Sequence, residues 1–166
     1  TSGHRATVSF LGDSNNFVNG VAGDTRGYVT DESSFWLSFS GGAAVGLASP
    51  FPAGETPYFS LVDGFPVSDG FFISTSPVSP GGVPLAQSPL QLNLDIGYVG
   101  ATLGSLDILP AIGFYDFTGL TRFSFTLWQA FPDNTRMEID FESLTISEAP
   151  VAVEPTSWGR VKALFN

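Results

Sequence analysis

The chain contains no cysteine and a single histidine. Without a thiol there is no disulfide framework, no thiolate metal site and no cysteine nucleophile. The one histidine, His4, stands close to an end of the sequence, where neither order nor a partner base is expected, so general-base chemistry has little to draw on. Basic residues are scarce as well. Six Lys and Arg face sixteen Asp and Glu, giving a formal net charge of −10 and a pI near 4.1. Such a surface repels phosphate backbones, because nucleic-acid binding requires cations that displace counterions, and it disfavours anionic lipid. Nucleic acid is therefore not expected as a partner. No apolar run approaches the ~20 residues of a membrane-crossing helix, so no membrane span is expected either.

Catalytic motifs are equally sparse. No G-x-S-x-G elbow occurs, and Ser14, within Gly12-Asp13-Ser14-Asn15-Asn16, lacks both the second glycine and a histidine partner. Asp13, Asn15, Asn16 and Asp24 offer hard oxygens of the kind calcium prefers, but Asn and Asp are also ordinary turn residues and EF-hand spacing is absent. Neither a cofactor nor a metal is expected, and the chain reads as non-enzymatic. It opens at Thr1 without a visible signal peptide, which is what a processed N-terminus would look like.

What is abundant points to β-structure. Sixteen Phe, nineteen Gly and twelve Pro accompany 43% hydrophobic and 13% charged residues, a composition of short apolar strands broken by turns. A chain of 166 residues fits one domain that buries roughly 70% of its unfolded surface.

The patterning agrees. Ala6, Val8 and Phe10 alternate with Thr7 and Ser9, and Phe35, Leu37 and Phe39 share a face opposite Trp36. Gly12 to Asn16 reads as a break between strands. Tyr58 to Val62 and Phe71 to Ser74 read as short strands, with turns at Asp63-Gly64 and Asp69-Gly70. Pro77, Pro80, Pro84 and Pro89 predict a stiff surface loop from Ser76 to Pro89. Leu90 to Ile96 alternates cleanly, placing Gln91, Asn93 and Asp95 toward water. Thr121 to Ala130 and Arg136 to Ile146 form a hairpin about Pro132-Asp133-Asn134. A change of apolar parity at Leu144 and Ile146 predicts a bulge near Glu142 or Ser143. The expected fold is all-β, a two-sheet antiparallel, jelly-roll-like sandwich of about eight strands over residues 1–149, followed by an extended tail at 150–166.

The closing sequence I-D-F-E-S-L-T-I-S-E-A-P-V-A-V-E-P-T-S-W, from Ile139 to Trp158, resembles the end of a PEP-CTERM protein. Its motif-like residues are Val153, Glu154, Pro155 and Trp158, and the stretch from Leu90 to Ile146 is similar to the back half of many such domains. The resemblance implies export by a Gram-negative-type bacterium, recognition by an exosortase, and a place at the cell surface or in an exopolysaccharide-rich matrix. The sequence departs from the family in having Ala152-Val153 where Val-Pro is usual, and in following Trp158 with G-R-V-K-A-L-F-N instead of a hydrophobic helix.

Two binding readings follow. Homotypic assembly into an oligomer or polymer would use a terminal segment, either the strand carrying Val8 and Phe10 or the tail carrying Val161, Leu164 and Phe165, docked on a neighbouring copy. Alternatively, the hairpin would set Trp128 and Thr126 beside Glu138 and Asp140, an aromatic ring with carboxylates that suits a sugar of an exopolysaccharide. Glu138, Asp140 and Glu142 could in principle act as paired acids on a glycoside, but three acids on one strand face are more simply a solvated face.

Overall fold

The structure is a computed structural model that describes residues 5–20, 24–47, 51–64, 68–80, 90–129 and 136–149. His4, the tail at 150–166 with all its motif-like and apolar residues, and the tip of the last hairpin lie outside the described residues. The fold is an all-β antiparallel sandwich. Its strands are β1 (Ala6–Ser9), β2 (Gly12–Asn19), β3 (Thr25–Thr30), β4 (Trp36–Phe39), β5 (Ala44–Leu47), β6 (Tyr58–Val62), β7 (Ser68–Pro80), β8 (Leu90–Val99), β9 (Gly113–Tyr115), β10 (Leu120–Gln129), β11 (Arg136–Glu138) and β12 (Leu144–Ile146). The excess over the expected number comes from β2 and β3, which the apolar alternation does not mark, from the short β5 and β9, and from the division of the expected last strand into β11 and β12.

One strand organises the two layers. β8 follows one edge of β7 from Ser68 to Val78. The other edge takes β6 at Gly70–Ile73 and β5 at Val78–Pro80. From β6 the sheet continues to β3 and β2, and from β5 to β4 and β1. The register breaks between Ile73 and Ser76, so β7 bends there and feeds both arms, as strands at sandwich corners do. The arms close on each other through aromatic rings. Phe10 stacks on Phe35 at 5.8 Å and meets Phe59 at 5.2 Å, and Phe59 stacks on Phe71 at 5.8 Å. Leu37, Leu61, Leu92 and Phe71 are completely buried between the layers.

Several local expectations give way to this topology. The Gly12–Asn16 segment is part of β2, not a break: Gly12 pairs with Thr30 and Phe17 with Tyr28, with the register shifted in between. Turn chemistry is still expressed inside that irregular stretch, since the Asn15 N–H donates to Asp13 Oδ1 at 2.9 Å. Asp69-Gly70 is strand, not turn, because a Cβ at Gly70 would come within 2.1 Å of the Ile96 carbonyl oxygen; glycine is there for close approach of β8.

The predicted loop from Ser76 is strand as far as Pro80. Each proline occupies a place where one edge of β7 has no partner. Among the described residues, β6 has ended and β5 has not begun at Pro77, and β8, which starts at Leu90, does not reach Pro80. A missing N–H costs nothing in hydrogen bonding where no acceptor stands opposite.

The expected strand from Arg136 to Ile146 is two strands. β11 stays with β10, whereas β12 leaves to form a two-stranded sheet with β9, pairing Leu144 with Tyr115 and Ile146 with Gly113. The parity change at Leu144 marks this change of partner and not a bulge. Ile139 and Phe141 still pack on the core, and Phe141 meets Phe123 at 5.2 Å.

Candidate functional site

The acidic-aromatic site proposed on the last hairpin is only partly assembled. Thr126 does pair with Glu138, but Trp128 pairs with Arg136, and Asp140 lies beyond the end of β11, exposed and outside the ladder. Thr126 is itself buried, so this is not the open wet face the alternation suggested. The expected water-facing residues of β8 are half-buried, and Asp95 is held by Arg122 at 2.7 Å.

The candidate docking residues of the first strand are likewise engaged within the chain. Val8 and Phe10 are half-buried and pack on the core, Phe10 against Phe35 and Phe59. β1 pairs only with β4 among the described residues, which leaves its backbone edge, and not its apolar face, as the accessible feature.

The most organised surface feature is a segment that periodicity could not place, residues 100–119, which covers one end of the sandwich. Four buried or half-buried polar side chains pin it. Asp69, 2% exposed, accepts the backbone N–H of Leu103 on one carboxylate oxygen and that of Gly64 on the other. The Tyr28 hydroxyl donates to the Leu106 carbonyl at 2.7 Å and accepts from the Ile108 N–H at 2.9 Å. Tyr98 donates to the Asp116 carbonyl at 2.8 Å, and Tyr115 to that of Ala111 at 2.7 Å. Every anchor is a side-chain partner for loop backbone that no ladder satisfies, which is how an irregular segment can be packed against a core.

Electrostatics follow the same geometry. Burial, then the nearby Asp116 carboxylate and Tyr115, push the Tyr98 hydroxyl up to about 12 from an ordinary value of 10.0. Burial also raises Tyr115. Asp116 is held below its ordinary value, first by the Thr118 backbone N–H and then by the Thr118 side chain.

On the outside of this pinned segment stand large apolar side chains. Val99 is 64% exposed, Leu109 54%, Ile112 41%, Phe114 67% and Phe117 73%. Ile112 and Phe114 are two residues apart and flank Gly113 on the outer face of β9, opposite Tyr115, which meets Phe71 edge-on at 4.8 Å inside. Phe117 and Gly119 close a turn against the end of β8, where the Val99 N–H bonds Gly119. By contrast, Phe17, also exposed, lies under the Arg26 guanidinium at 4.3 Å.

No family model, curated protein or solved structure matches the chain. The reading of the site therefore rests on its chemistry. Among the described residues no three of His, Asp and Glu gather as a metal site would require, and no helix is long and apolar enough to cross a membrane. A shallow open depression of about 400 Å³ at Thr30, Asp31, Glu32 and Ser33 holds a capping turn, with the Asp31 carboxylate accepting from the Ser33 N–H.

Proposed function

We propose that the chain is a non-catalytic structural protein of an exported cell surface or extracellular matrix, and that its copies associate through the end of the sandwich covered by residues 100–119. The observation that carries this reading is the apolar group Leu109, Ile112, Phe114 and Phe117, with Val99 at the adjoining end of β8, displayed on a segment whose backbone is held from beneath by Asp69, Tyr28, Tyr98 and Tyr115. Exposed apolar side chains of this number on a pinned scaffold are the composition of a contact surface, and a scaffold already ordered loses little entropy on binding.

A second copy is the partner that fits. β9 pairs only with β12 among the described residues, so its other edge offers backbone groups to an identical strand while Ile112 and Phe114 meet their counterparts. The reading of export and a matrix location draws on the resemblance of the segment around Val153, Glu154, Pro155 and Trp158 to PEP-CTERM proteins.

Sedimentation velocity over a concentration series tests the proposal. Mass rising with concentration, and a return to monomer in the Phe114→Ser, Phe117→Ser double variant, is the expected result. Because the chain carries a net charge of −10 and Asp107 and Asp116 lie within the same segment, association should strengthen as salt screens the repulsion. A protein that stays monomeric at all concentrations and salt levels would sink the reading.

A further inference from the structure

Among the described residues, the outer face of the β1-β4-β5 arm carries no charged side chain around one exposed indole. Trp36, 42% exposed, lies in a cross-strand row with Ser9 on β1, Gly46 on β5 and Ser79 on β7. The adjacent row holds Thr7, Ser38 and Ala44. Thr7, Ser9 and Ser38 are exposed, so hydroxyl groups flank the ring. The indole lies over Gly46: a Cβ built there would be in van der Waals contact with the ring, 3.5 Å from Trp36 Cζ3 and 3.7 Å from Cη2, so one face of the indole rests along β5. Charge enters only two rows away, where Arg5 beside Ser40 is neutralised by Glu142 at 3.0 Å.

We infer that this face binds an uncharged polysaccharide, with a pyranose ring stacked on Trp36 and its hydroxyls bonded to Thr7, Ser9 and Ser38. A sugar presents an axial C–H surface that suits an aromatic face and a rim of hydroxyls that suits other hydroxyls. The remaining classes of ligand fit less well. A protein contact would be expected to surround the tryptophan with further apolar side chains. Nucleic acid or an anionic glycan would require cations, and among the described residues the cation nearest this face, Arg5, is paired with Glu142. The face is flat and lies along a sheet, which suits an extended chain and not an enclosed monosaccharide. It does not depend on the self-association surface, which sits on a different part of the fold.

Affinity electrophoresis through native gels containing hydroxyethyl cellulose, galactomannan or xyloglucan tests the inference, with alginate as the anionic comparison. The expected result is retardation by at least one neutral polymer and none by alginate. Trp36→Ala should weaken that retardation by about tenfold, the equivalent of one stacked aromatic ring. Gly46→Leu keeps the tryptophan but lifts it from the sheet, and should weaken binding comparably, with circular dichroism melts confirming that both variants fold. Repeating the gels in the Phe114→Ser, Phe117→Ser background separates binding from self-association and should leave the retardation in place. No retardation by any of the three neutral polymers, equal retardation of Trp36→Ala, or preference for alginate would each overturn the inference.

Discussion

The carboxylate of Asp69 joins two parts of the chain that are far apart in sequence: from within β7 it accepts the backbone N–H of Leu103, thirty-four residues later, while its second oxygen takes the N–H of Gly64. Asp69 is 2% exposed, and the residues it holds belong to segments without ladder partners of their own. The same end of the molecule is completed by three tyrosine hydroxyls acting on loop backbone.

Replacing Asp69 by alanine leaves two backbone donors without acceptors in a buried place. The expected cost is about 3 kcal/mol, seen as a lower urea midpoint. Asp69→Asn, which keeps one acceptor but turns an N–H toward the other donor, should fall between the two.

Gly70→Ala is expected to be more damaging than its size suggests. The added methyl would sit 2.1 Å from the Ile96 carbonyl oxygen and against the Ile96 and Gly97 backbone of β8, which cannot rotate aside as a side chain would. Separation of β7 from β8 affects the central pairing of the sheet, so loss of about 3 kcal/mol or more, or failure to accumulate as folded protein, should follow. A variant as stable as the parent, by urea unfolding, would show that the two strands can spread freely.

Phe10→Ala removes the ring that meets Phe35 on one side and Phe59 on the other. Because it bridges the two arms, the expected loss is about 3 kcal/mol, with no change in self-association once the comparison is made under conditions where both proteins are folded.

Alkaline titration should report Tyr98. Its folded value of about 12 stands above the ordinary 10.0, so the folded state holds this proton more tightly than the unfolded chain does. The stabilisation is complete below pH 10 and declines as the pH rises toward 12. Tyrosinate absorbance should therefore lag behind that of the denatured protein across this window, and Tyr98→Phe should flatten the associated fall in melting temperature.

The sugar site that the sequence offered as the alternative to assembly and the one inferred from the fold both centre on a tryptophan. Trp128 stands in a clear apolar-polar alternation, but its cross-strand neighbour follows from hairpin register, and a shift of two residues pairs it with Arg136 in place of Glu138. Trp36 was legible as the odd residue out on its strand. Its surroundings were not, since Ser9, Gly46 and Ser79 come from three other strands separated by long stretches of chain. Likewise Leu109, Ile112, Phe114 and Phe117 show no usable period, because they lie in and around a segment shaped by side-chain anchors and not by a ladder.

Local patterning was enough for the all-β class, the inward faces of β1, β4, β8 and β10, and the chain reversal signal at Asp63-Gly64, where Gly64 has a φ of 77°. These are local properties: a side-chain period of two and a backbone angle that glycine tolerates. Only the tertiary structure decided that Asp69-Gly70 would be strand, that Pro77 and Pro80 could sit in one, and that the chain after Phe141 would change partners. Each of those outcomes depends on which edge of which neighbour stands opposite, and that is a relation between distant residues that no local pattern carries.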